Sequence, residues 1–132
     1  MREARPFSVV SVIIPGVPGF SANLLFEEYG DHGLVRDLAQ LLVDTTPAQL
    51  EAIRAAVAGG DARSLREAAH RLRGSLVAFG VPDAVETART LEAMGESGEL
   101  TGAEALSIAL AEDVQSLRDS AKAWLDMGTA PP

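Results

Sequence analysis

Glu67-Ala-Ala-His-Arg-Leu-Arg-Gly-Ser-Leu-Val-Ala-Phe-Gly80 is the stretch on which the fold class turns. Leu65 just ahead of it, then Ala69, Leu72, Leu76 and Phe79, recur at helical spacing with Ala68 at the edge. The segment therefore reads as a helix with one apolar, core-facing stripe. At about 100° per residue, His70 points about 140° from Leu65, into solvent, with Arg66, Arg73, Gly74 and Val77 sharing or flanking its sector. Gly74 sits one turn beyond His70, although a glycine inside a helix costs about 1 kcal/mol relative to alanine. The missing side chain opens space beside the imidazole.

A lone histidine on a helix is most simply a solvated surface residue, so the case for chemistry rests on its neighbours. Four of the eleven basic residues, Arg63, Arg66, Arg71 and Arg73, fall in this one segment of a chain whose net charge is −8. Arg66 and Arg73 lie one turn before and after His70, and guanidinium groups offer forked, charged donors suited to phosphate oxygens. A solvent-exposed imidazole is largely neutral, hence nucleophilic, at pH 7. Exposed His, flanking Arg and a Gly gap together point to phosphoryl acceptance.

Working outward, the pattern stays helical. Ser21 caps a short helix through Tyr29 that stops at Gly30, and Asp31 caps a long one with core positions Leu34, Leu38, Leu41 and Leu42. Pro47 either kinks that helix or opens a new one capped by Thr46, with Gln49 at the capping-box position. Leu50, Ile53 and Val57 carry the face to a stop at Gly59-Gly60. Asp61 caps the motif helix, which Gly80 and Pro82 close. A further helix runs from about Asp83 to Glu96 with Ala84, Ala88 and Leu91 inward, Gly95 and Gly98 marking its end. The last, from about Gly102 to Met127, places Leu106, Leu110, Val114, Leu117, Ala121 and Trp124 or Leu125 inward. Short connections favour antiparallel order, so the expected fold is all-α, an antiparallel four-helix bundle with a short extra N-terminal helix. Residues 1–23 are expected to form an extended or disordered tail, 24–127 the bundle and 128–132 a second tail.

Ala69-His70-Arg71-Leu72-Arg73-Gly74-Ser75, followed by Phe79-Gly80, resembles the signature of histidine-containing phosphotransfer (HPt) domains. That pattern runs His-x-Leu-Lys-Gly-Ser/Ala-small, with a Gly ten residues after the His. A weaker likeness extends from about Asp31 to Asp126, taking in Ala58-Gly-Gly-Asp61 and Thr90-Leu-Glu92. Arg73 stands where Lys is usual and keeps the charge, Leu76 replaces a small residue on the core side, and Val81 replaces a common Ala.

The resemblance implies a carrier in a two-component phosphorelay: His70 accepts a phosphoryl group from a receiver-domain aspartate and passes it to another receiver. Arg73, Arg66 and Gly74 support the transfer. Ser75 either bonds the phosphohistidine or caps a neighbouring carbonyl. By alignment of Leu42-Val-Asp-Thr45, Thr45 is the polar residue expected beside the imidazole, and Val77 is a candidate for docking. The partners implied are receiver domains of response regulators or hybrid histidine kinases. Mg²⁺ is expected on the partner, with no cofactor of the chain's own. The alternative is an unphosphorylated adaptor or inhibitor with the same fold, binding a kinase or response regulator.

Composition excludes much else. The chain has 132 residues, 47% hydrophobic and 5% aromatic, as expected for one domain with an aliphatic core. Cysteine is absent, which removes disulfides and thiolate metal sites and is compatible with a cytoplasmic location. Nineteen acidic against eleven basic residues argue against nucleic acid as a partner. The apolar run Phe7–Phe20 follows Arg2 and Arg5 like a signal peptide but is broken by Pro15, Gly16, Pro18 and Gly19, and is too short to cross a membrane. A monomer with no membrane partner is expected, and Met1 and the tail favour a freestanding form.

The remaining residues keep plain readings: His32 at the surface, Trp124 in the core, and Glu104, Glu112, Asp113 and Asp119 on a solvated face. Glu86 and Glu92, six apart, do not share a helix face and make a poor acid/base pair. No phosphate-cradling loop is present, so the chain is not expected to phosphorylate itself from ATP, and no second polar group within the motif is paired with His70 as base or orienter.

Overall fold

The Asp31 carboxylate accepts a hydrogen bond from Leu34 N at 3.2 Å and so caps helix α1, His32–Ala58. The computed structural model describes residues 27–28 and 30–128, with side chains to 126, and every element among them is helical. After Gly59-Gly60, Asp61 caps α2, Ala62–Leu76, taking bonds from the Ser64 amide (3.1 Å) and hydroxyl (2.8 Å). One 3-10 turn, Val77–Phe79, continues it to Gly80, whose φ of 67° ends the helical path. Pro82 opens α3, Pro82–Ser97, at the first-turn position where its missing N–H costs nothing. The last helix, α4, spans Ala103–Gly128.

Each helix packs on its sequence neighbours, and α4 closes the ring against α1. Partners across the interfaces run in opposite directions. Gly95 faces Ala62 and Arg66 while Glu92 meets His70 and Arg73. Arg36 lies over Trp124 while Arg118 reaches Val43. The result is an antiparallel four-helix bundle. Its core holds the whole stripe expected on α2, Leu65, Ala68, Ala69, Leu72, Leu76 and Phe79, together with Ala84, Ala88 and Leu91 of α3 and Leu110, Val114, Leu117, Ala121 and Leu125 of α4. Trp124 is half-buried at the edge of this core, with the Arg36 guanidinium 6.0 Å from its ring centroid.

Several expectations are corrected. On α1, Leu42 is buried and Leu38 half-buried, but Leu34 and Leu41 are exposed, Leu41 by 58%. The true inward stripe is Val35, Ala39, Leu42, Val43, Thr46, Ile53 and Ala56, in which small and β-branched residues, rather than leucines, take most of the inward places. Of the two readings of Pro47, the opening of a new helix is excluded: the 27-residue α1 runs through it. Proline at 47 leaves the Val43 carbonyl without its i+4 amide, and Arg118 Nε of α4 supplies the donor instead at 2.9 Å. Thr46 is consequently no cap but a buried helix residue whose hydroxyl donates to Leu42 O.

Gly95 does not mark the end of α3, which runs on through Ser97 to Gly98. A Cβ there would lie 2.5 Å from Arg66 N and 2.7 Å from Ala62 O, so Gly95 is the point where α3 rests on the α2 backbone. The end of α4 falls at Gly128, one residue past the expected limit. The extra N-terminal helix and the tail 1–23 lie almost wholly outside the described residues.

Candidate phosphoacceptor site

His70 stands in the third turn of α2, its side chain 66% exposed, on the face opposite the buried stripe. Its Nδ1 is 2.8 Å from Glu92 Oε2, and the other oxygen of that carboxylate accepts from Arg73 Nε at 2.9 Å. Glu92 belongs to α3 and reaches the site because Gly95, one turn on, lets the two helices touch. Its side chain is only 19% exposed and Arg73 24%, so an ion pair shielded from water lies beneath an open imidazole.

This arrangement fixes the tautomer. An ionised carboxylate can only accept, and hydrogen bonding to Arg73, opposed in part by burial and aided by His70, holds the Glu92 carboxyl below its ordinary range. The proton of a neutral His70 therefore resides on Nδ1, donated to Glu92, and the Nε2 lone pair points to solvent. Arg73 Nη2 lies 3.4 Å from Nδ1; both are then donors, so this is an adjacent cation rather than a hydrogen bond. The orienting group absent from the motif is supplied by the next helix. Glu92, a poor acid/base partner for Glu86 six residues away, is thus a partner of His70 across the helices, while Glu86 forms a surface ion pair with Arg89 at 3.4 Å. The signal available was Thr90-Leu-Glu92 within the family likeness.

The other candidates fall on both sides of this centre. A Cβ on Gly74 would meet nothing within 4 Å among the described residues, so no packing demand among them calls for glycine there. Val77 is exposed in the 3-10 turn, on the His70 side of α2. Arg66 is exposed on α2 one turn before His70, its backbone against Gly95. Ser75 turns away from the imidazole: its hydroxyl donates to Arg71 O at 3.3 Å and accepts from Gln49 Nε2 at 3.0 Å. The side chain that α1 sends to α2 is thus Gln49, not Thr45, whose hydroxyl bonds back to Leu41 O within its own helix.

An imidazole held at one nitrogen by a shielded carboxylate and left open at the other, with bare backbone beside it, is accessible to a docked partner. Residues 37–120 match the model of the Hpt domain, and the chain belongs to that family: it is a histidine phosphotransfer domain, a carrier in phosphorelays whose partners are proteins such as receiver domains. Neither the curated proteins nor the solved structures returned a match. No helix among the described residues is long and apolar enough to cross a membrane.

Proposed function

We propose that His70 accepts a phosphoryl group from the aspartyl phosphate of a receiver domain and returns it to the aspartate of another. The reading is carried by one observation: His70 Nδ1 is engaged by Glu92 while Nε2 is open to solvent beside the side-chain-free Gly74. In the forward step the Nε2 lone pair forms a bond to phosphorus in line with the acyl phosphate oxygen, whose bond to phosphorus breaks as the aspartate leaves as a carboxylate. The imidazole keeps its Nδ1 proton and becomes cationic. Glu92 offsets that charge, which a neutral amide at the same place would do only by a hydrogen bond. Arg73, and Arg66 from the turn before, face the phosphoryl oxygens, and Gly74 and Val77 admit the receiver loop. Mg²⁺ belongs to the partner. Ser75 and Thr45 hold local backbone rather than the phosphoryl group.

The test is transfer of label from receiver domains charged by a kinase with labelled ATP. Wild type should take up an acid-labile, base-stable label and His70→Gln none. Labelling retained in His70→Gln would sink the assignment.

A further inference from the structure

Arg73 faces the phosphoryl group, yet its guanidinium is engaged before any phosphoryl group arrives. Nε donates to Glu92 Oε1 at 2.9 Å, and Nη2 lies 3.4 Å from His70 Nδ1, the ring nitrogen remote from the one that forms the bond to phosphorus. Both members of this ion pair are largely shielded from water. Arg66, one turn before His70, is by contrast exposed and has no ion pair among the described residues. The two arginines of the site are therefore not equivalent: one is free to meet an incoming anion and the other already holds one.

The ring needs what that pairing supplies. Nε2 carries the attacking lone pair only while the proton is on Nδ1, and the proton stays there because Glu92 Oε2 accepts it at 2.8 Å. Glu92 reaches across from α3 on a long side chain, which left to itself would sample several rotamers. With Oε1 fixed by Arg73, Oε2 has one place to be. The same contact holds the carboxyl ionised against the cost of burial, so Oε2 can only accept. A lysine would keep the charge but bring one compact ammonium in place of a planar fork that puts one donor on Oε1 and another edge beside the ring. We infer that Arg73 is a positioning residue, acting on transfer through the Glu92 carboxylate that fixes the Nδ1–H tautomer rather than through the phosphoryl oxygens it faces. The inference rests on the transfer proposed at His70.

The probe is phosphoramidate, a small donor that needs no receiver: its P–N bond breaks, the electron pair leaving with nitrogen as ammonia, while the bond from phosphorus to Nε2 forms. Uptake by the full chain, less the uptake of His70→Gln, is compared in wild type, Arg73→Gln, Glu92→Gln and the double variant. Arg73→Gln should slow uptake about tenfold in the wild-type background and less than about twofold in the Glu92→Gln background. Nitrogen-15 shifts of the unphosphorylated imidazole should report Nδ1–H in wild type and in Arg66→Gln, and a mixture of tautomers in Arg73→Gln, a change that lost stability alone does not produce. Melting temperatures show which variants are folded, and if Arg73→Gln is not, Arg73→Lys takes its place in the cycle with the same expected dependence on Glu92. Equal slowing in both backgrounds, or an unchanged tautomer in Arg73→Gln, overturns the inference and leaves acceptance at His70 standing. No uptake at His70 in wild type overturns the acceptor reading as well.

Discussion

Glu92 and Gly74 are where single atoms decide the chemistry. Replacing Glu92 with Gln preserves an acceptor for Nδ1–H but removes the charge that, in the proposed transfer, balances the phosphorylated ring. Glu92→Gln should therefore keep measurable transfer at a rate lowered about tenfold or more, and Glu92→Ala, which frees the tautomer and leaves Arg73 unpaired, should lose more. Single-turnover transfer from one charged receiver ranks the three proteins; equal rates would remove Glu92 from the mechanism. The pH dependence has a definite sign. The folded-state pKa of Glu92 is lowered, chiefly by Arg73, so the stability it contributes is present above the ordinary carboxylate pKa of 4.5 and lost as pH falls through the lowered value. Acid titration of the melting temperature should show a shallower acid limb in Glu92→Gln than in wild type. Gly74 gives the opposite pairing of stability and function. With nothing within 4 Å of its missing Cβ, Gly74→Ala should stabilise the fold by up to about 1 kcal/mol in urea denaturation while slowing transfer.

Helices carry the next set of consequences, and they separate what the sequence shows from what it hides. The α2 stripe was legible because its apolar residues are large and evenly spaced; α1 was not, since Val35, Ala39 and Thr46 take inward places while Leu34 and Leu41 face out. His70, Gly74 and the arginines could be read from one helix, whereas the Glu92 contact depends on how α3 crosses α2, which no local pattern encodes. The same holds for the role of Gly95 and for the remedy at Pro47. Gly95→Ala forces a methyl group against the α2 backbone, so despite better helix propensity it should cost about 1 to 3 kcal/mol and, by moving Glu92, slow transfer as well. Arg118→Met leaves the Val43 carbonyl unsatisfied and should cost about 1 to 3 kcal/mol. In a Pro47→Ala background the restored amide takes that carbonyl, and the cost of Arg118→Met should shrink by about 1 kcal/mol or more. Additive effects in the double-mutant cycle would show that the arginine does not stand in for the missing N–H.

At the scale of the molecule, the charge distribution bears on how the carrier finds its partners. The whole chain is at −8, yet α2 carries Arg63, Arg66, Arg71 and Arg73 against the single acid Glu67, and Asp61 is engaged in capping it. Arg63 is paired with Glu67 and Arg73 with Glu92, whereas Arg66 and Arg71 have no ion pair among the described residues, so the charge of this anionic chain is polarised toward the helix that carries His70. Such a dipole repels other acidic surfaces at most approaches and favours the one orientation that presents the imidazole to an acidic phosphorylated site. Orientation of this kind acts on the encounter, not on the bond-making step, so the two can be told apart. In stopped-flow mixing with a charged receiver, the second-order rate should fall about tenfold or more as salt rises from about 0.01 M to 1 M and the screening length contracts from about 30 Å to 3 Å. The first-order transfer rate within the complex should change little. Arg66→Ala with Arg71→Ala should flatten the salt dependence of association, whereas Glu92→Gln, half-buried and already paired with Arg73, should lower the first-order rate and leave the slope alone. A second-order rate indifferent to salt would mean that the apolar contacts around Gly74 and Val77, and not the arginines, set the approach.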